Sequence, residues 1–154
     1  MLLLVFQVGC EYFGLDAASI VEVTVVTRCH PVPLAPKYFL GLCRYRGTVV
    51  PVLDLTALLA GTASRLLFST RLVIARTAIG SASPRTLGLI AESAVQVIRY
   101  SPDAVTDPEI RIKEAPYLGK VVVANGCLIQ ILSLPSLLET EVGSALFDQA
   151  LYGS

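Results

Sequence analysis

The sequence has no tryptophan, one histidine and one methionine, and only 16% of its residues are charged. Each scarcity removes a class of chemistry. His30 stands between Cys29 and Pro31 in a proline-rich connector, and any Ser-His-Asp or Cys-His site would have to recruit it. With no supporting motif around it, it reads as a turn or surface residue. A small hydrolase using Cys43 or Cys10 as nucleophile fails on the same histidine. The four cysteines, Cys10, Cys29, Cys43 and Cys127, contain no C-x-x-C pair. They offer no metal-ligand spacing and read as small hydrophobes of a reducing cytosol.

Other absences narrow the field further. No G-x-G-x-x-G and no G-x-x-x-x-G-K-[ST] is present, so the phosphate-cradling loops of nucleotide enzymes are missing. Asp16, Glu22, Asp54 and Glu92 lie beside or inside apolar runs, and Asp54 is best explained as a helix cap. Twelve basic and twelve acidic residues cancel, which leaves no global field to gather nucleic acid or an anionic membrane. Arg44-Tyr45-Arg46 is too short a patch to bind nucleic acid. No stretch approaches the roughly 20 apolar residues that span a bilayer. Val8-Gly9-Cys10 resembles a lipoprotein cleavage site, but no basic residue precedes it, and Leu2–Phe6 is shorter than the roughly 7–15 residues of a signal peptide core. Leu2–Val8 is expected to be a strand.

What the chain does have is apolar residues, 54% of the total, enough for a packed core with apolar area left for partners. They come in short Val, Ile and Leu runs: Leu2–Val8, Ile20–Val26, Tyr45–Leu53, Leu72–Ala75, Leu87–Ala91, Val95–Tyr100, Lys120–Ala124 and Cys127–Leu132. That rhythm predicts an all-β protein with few short helices. Helices are expected at Asp54–Leu59, which Gly61 stops, at Ser133–Leu138, and in a tail around 142–152. Residues 62–70, 77–86 and 101–117 read as loops.

The chain also repeats itself. Arg46-Gly47-Thr48-Val49-Val50-Pro51-Val52-Leu53-Asp54-Leu55-Thr56-Ala57-Leu58-Leu59 lies over Asn125-Gly126-Cys127-Leu128-Ile129-Gln130-Ile131-Leu132-Ser133-Leu134-Pro135-Ser136-Leu137-Leu138, both reading turn, strand, cap, helix. Asn-Gly suits a two-residue hairpin turn because both positions tolerate positive φ. Arginine does not. Either Arg46 is held in a tight turn by an ion pair or a partner contact, or the turn is longer and Arg46 is solvated.

The segment Pro36 to Leu55, with Gly41-Leu42, Arg46-Gly47, Val50-Pro51 and Asp54-Leu55, resembles the signature of CheW-like domains. Val5–Gly9, Tyr12–Asp16, Ile20–Val23, Leu87–Glu92, Tyr117–Gly119 and 127–138 also fit, so the likeness covers about residues 2–140. It departs at Arg44, where the family often has Asn. The opening residues are similar to those of adaptors from alternative, Wsp-type pathways.

The resemblance implies a single CheW-like domain over 1–154, built as two SH3-like five-stranded β-barrels packed together with strands exchanged between the lobes. It implies a non-catalytic scaffold in bacterial chemosensory signalling, without cofactor or metal. The scaffold would be cytoplasmic, recruited to receptor clusters at the inner membrane without inserting into it. Its partners would be a chemoreceptor cytoplasmic hairpin tip and a histidine kinase regulatory domain. Arg46 and Glu22 match the motif arginine and the acidic residue of an early strand, and are expected to pair near a binding surface. Ile20, Gly41 and Val49 match partner-surface positions, and Leu72 and Gly88 match the second barrel's side of the receptor groove. A regulatory or oligomerisation module of another complex, using the same barrels without a chemoreceptor, is the competing expectation.

Overall fold

The structure, a computed structural model, describes residues 1–78, 83–110 and 112–147. Its strands are β1 (Leu2–Val8), β2 (Glu11–Asp16), β3 (Ile20–Val25), β4 (Phe39–Tyr45), β5 (Thr48–Asp54), β6 (Arg71–Thr77), β7 (Arg85–Ala91), β8 (Ser93–Arg99), β9 (Val105–Thr106), β10 (Leu118–Ala124) and β11 (Cys127–Leu132). The helices are α1 (Leu55–Ala60), α2 (Leu134–Leu138) and α3 (Glu141–Phe147). The part of the expected tail beyond residue 147 lies outside the described residues.

Two sheets form, in the orders β3-β6-β7-β5-β4 and β8-β1-β2-β11-β10-β9. Apart from the two-residue β9, the orders correspond strand for strand. In each, a hairpin (β4–β5 or β10–β11) sends its second strand parallel to a neighbour, β5 against β7 and β11 against β2. The second sheet takes β1 and β2 from the start of the chain where the first uses β6 and β7. The two barrels are therefore circular permutations of one pattern, each curled in the SH3-like manner.

Side-chain alternation divides the core into three. Val50, Val52, Leu72, Ile74 and Ile90 fill the interior of the first barrel, and Leu3, Val5, Val122 and Ile129 that of the second. The alternate residues face the other barrel: Leu4, Phe6, Val73, Ala75, Leu87 and Leu89 meet between the sheets. There they are joined by Leu134, Leu137 and Leu138 from α2 and by Val142 and Leu146 from α3.

The helices start where capping chemistry requires. Asp54 accepts from the Thr56 and Ala57 amides at the head of α1, and Ser133 accepts from the Ser136 amide at the head of α2. Gly61 ends α1 at φ 78°, a left-handed conformation that costs glycine little.

Candidate functional site

The repeated hairpins locate the site by the place where they differ. Tyr45 pairs with Thr48, and Ala124 with Cys127, so both loops are two residues long. Arg46 and Gly47 have φ of 48° and 79°, and Asn125 and Gly126 of 52° and 76°. Of the two geometries open to Arg46, the tight one with positive φ is present, and it is strained for a residue with a long side chain.

Three side chains converge at that turn. The Tyr45 hydroxyl donates to Glu22 Oε2 at 2.5 Å, and Arg46 Nη2 lies 3.5 Å from the same oxygen. The Arg46 guanidinium stands 5.3 Å from the centroid of the Tyr45 ring, within cation–π reach. Hydrogen bonding to the Glu22 carboxylate is the leading cause that holds the Tyr45 phenol above its ordinary pKa; desolvation adds to it and the Arg46 charge opposes it. β3 and β4 are the two edges of the five-stranded sheet, so this contact links them at one end of the barrel. The Arg46 side chain is 73% exposed, so it is held but not covered.

Glu22 reaches this position because of a register shift. Ile20 pairs with Ala75 but Glu22 with Ile74, with a bulge between them. Ala75 faces the inter-barrel core and Ile74 the barrel interior, and paired residues share a face. Ile20 therefore packs on the inter-barrel core, while Glu22 turns to the opposite side, toward Tyr45. Beyond the bulge Val23 pairs with Val73 and Val25 with Arg71. Val23 thus stands on the inter-barrel face, yet it remains partly exposed, so the apolar seam between the barrels runs out to the surface.

The remaining candidates are not brought together with Arg46 in one way. Val49 lies beside the turn and is 60% exposed, paired with Arg44. Gly41 is buried at φ 149°, and a Cβ there would stand 2.4 Å from the His30 carbonyl oxygen. That close approach is fixed by paired hydrogen bonds between His30 and Leu42, at 2.8 and 2.9 Å. His30 is thereby explained as backbone cover for the β4 edge.

Leu72 and Gly88, expected on the second barrel's side of a groove, lie instead inside the first barrel, the one that carries Glu22 and Arg46, where a Cβ on Gly88 would be 3.0 Å from Leu72 Cδ1. The second barrel repeats the arrangement with Gly14 under Leu3. The packing of Leu72 over Gly88 is thus a unit of the fold, and both residues are buried. Tyr45 also belongs to the site, through its contacts with Glu22 and Arg46. Its place beside Arg46 is the mark it leaves in the sequence.

Cys43 is 1% exposed, so no substrate can approach its sulfur. The Cys29 thiol is pushed up to about 11 by burial and by Cys43 beside it. It carries no acidic thiolate of the kind a nucleophile needs. Among the described residues no three His, Cys, Asp or Glu side chains gather as a metal site, and no helix is long and apolar enough to cross a membrane.

Comparison with known proteins agrees with this architecture. The chemotaxis protein CheW of Rhizobium meliloti is 26% identical over 141 residues, which cover 90% of this chain and 88% of that protein. Protein FrzA of Myxococcus xanthus is 28% identical over 138 residues, covering 88% and 83%. The crystal structure of the scaffolding protein TtCheW from Thermoanaerobacter tengcongensis superposes with a TM-score of 0.75 at 23% identity, covering 92% of this chain and 89% of that one. The sequence model of the CheW-like domain matches residues 2–142, and the chain belongs to the CheW-like domain family.

Proposed function

We propose that this chain is a non-catalytic adaptor that couples a chemoreceptor to a histidine kinase in bacterial chemosensory signalling. Its output is the geometry in which it holds two partners. The supporting observation is the arginine at the first hairpin turn: Arg46 occupies a conformation that asparagine fills in the sister turn, and keeps a largely exposed guanidinium beside Glu22 and Tyr45. A costly conformation that presents a charged fork to solvent fits a binding residue better than a folding one.

In this reading Arg46, Glu22 and Val49 form a contact surface for the kinase regulatory domain. The apolar seam that emerges past Ile20 and Val23 seats the receptor's helical hairpin, as an amphipathic helix lies in a groove. Gly41, Leu72 and Gly88 act beneath these surfaces by fixing the sheet that carries them. The adaptor would work in the cytoplasm, drawn to receptor clusters at the inner membrane by its partners.

Co-purification with a receptor hairpin fragment and with a kinase regulatory domain tests the proposal. Binding of both at micromolar concentrations supports coupling. Binding of the kinase domain alone favours a regulatory module without a receptor, and binding of neither overturns both readings.

A further inference from the structure

The bare Cα of Gly41 lets the connector after β3 lie directly on β4, where His30 and Leu42 exchange hydrogen bonds of 2.8 and 2.9 Å. Two residues that exchange both bonds are the hydrogen-bonded pair of an antiparallel ladder. The next residues along form the non-hydrogen-bonded pair, with Cα atoms about 4.5 Å apart and side chains on one face. Here those residues are Cys29 and Cys43. A disulfide spans Cα separations of about 4.4–6.8 Å, so the backbone needs little movement to join them.

The side chains agree with the register. Cys43 is buried inside the first barrel with Val50 and Ile74, and Cys29 packs on the same cluster. Burial pushes the Cys29 thiol up to about 11, with Cys43 adding to it as neighbouring charge and hydrogen-bond partner. Of the two, Cys29 is the one a reagent can reach: it is partly exposed and lines a cavity of about 350 Å³ together with Leu40 and Ile90.

We infer that Cys29 and Cys43 are a modification site, a dithiol that a peroxide converts into a disulfide stapling the connector to β4. The Cys29 thiolate attacks one peroxide oxygen, the O–O bond breaks, and the departing hydroxide takes up the thiol's proton as water. Cys43 gives up its proton and attacks the Cys29 sulfenic sulfur; the S–O bond breaks and a second water leaves. Two thiols thus lose two electrons, and one hydrogen peroxide becomes two waters.

The high folded pKa of Cys29 makes closure slow at neutral pH, because the thiolate is the nucleophile. It also favours the closed form at equilibrium, the inverse of oxidising dithiols whose reduced form is stabilised. Under reducing conditions the pair rests as two small core residues. The bond fixes the edge strand whose far end carries Tyr45 beside the Arg46 turn, and it stands independently of the coupling function.

The test treats the folded full chain, carrying Cys10→Ser/Cys127→Ser to remove the thiols outside the pair, with millimolar hydrogen peroxide at mildly alkaline pH. The intact mass should fall by two hydrogens, and both thiols should vanish from titration. Trypsin cuts after Arg28, Lys37 and Arg44, so peptides 29–37 and 38–44 should emerge joined and separate on adding a phosphine reductant. The melting temperature should rise by at least about 3 °C on oxidation. Cys29→Ser in the same background should show none of these changes. Oxygen added at Cys29 with Cys43 still free, disulfide-linked dimers in place of the internal bond, or a bond that forms only after unfolding in urea each overturns the proposal. So does a melting temperature that oxidation does not raise.

Discussion

Arg46 and Asn125 occupy the same position of two equivalent hairpin turns, at φ 48° and 52°. A fold that needs the same backbone twice would be expected to use the same residue type twice. It uses asparagine where local energetics decide and arginine where something else does. Stability and binding should therefore separate at these two positions.

At Arg46 the exposed ion pair is worth at most about 1 kcal/mol, and left-handed backbone strain costs a similar amount. Arg46→Asn should leave stability unchanged or raise it by up to about 1 kcal/mol, while kinase-domain binding falls at least tenfold. Asn125→Arg should do the reverse, costing about 1 kcal/mol with binding intact. Urea unfolding of the two variants alongside a binding titration separates these outcomes.

The Tyr45–Glu22 contact has a pH signature. Because the hydrogen bond to Glu22 raises the phenol's folded pKa, the stabilisation is present in full below the ordinary tyrosine pKa of about 10. It is lost as pH rises through the higher folded value. The stability difference between the wild type and Tyr45→Phe should be constant from about pH 7 to 9 and shrink above 10. A difference that is unchanged up to pH 12 would show that the hydroxyl makes no such bond.

Glu92 behaves in the opposite sense. Burial alone would raise its pKa, but the Arg65 amide, side-chain hydrogen bond and charge outweigh it and lower the folded value. That stabilisation is complete above the unfolded carboxyl pKa of about 4.3 and disappears as pH falls through the lower folded value. Denaturation of the wild type and Glu92→Gln should differ at pH 7 and converge near about pH 3.

Gly41 and Gly88 should show purely structural losses. A methyl at Gly41 meets backbone at 2.4 Å in a conformation unfavourable to L-residues, so Gly41→Ala should cost about 3 kcal/mol. At Gly88 the obstacle is the movable end of Leu72 at 3.0 Å, and Gly88→Ala should cost about 1 kcal/mol. Any binding loss should follow the folded fraction. Weakened binding by fully folded Gly88→Ala protein would instead place the partner directly above that residue.

Features carried by neighbouring residues were legible in the sequence. Leu2–Val8 forms a strand with those limits, Asp54 and Ser133 cap the two short helices, and Gly61 ends the first. Phe39–Tyr45 is a strand of its own that the pattern conceals, because Gly41 interrupts its buried series Phe39, Gly41, Cys43, and the expected run Tyr45–Leu53 is split by the Arg46-Gly47 turn, with Tyr45 ending β4 and Thr48 starting β5. The two-residue β9 lies within 101–117, a stretch whose polar composition reads as loop. The permuted lobes depend on β2 pairing with β11 from the other end of the chain, which local pattern cannot reveal. Arg46 and Glu22 stand together as the resemblance implies, but the bulge that turns Glu22 toward Tyr45 leaves no mark in the residues around it.

The most direct test of the account is a titration of wild type, Arg46→Ala and Asn125→Arg with a kinase regulatory domain, with thermal melts of the same samples. Arg46→Ala should raise Kd at least tenfold with a melting temperature within about 3 °C of wild type, and Asn125→Arg should leave Kd unchanged. Equal loss of binding and stability at Arg46, or no binding by the wild type, would contradict it.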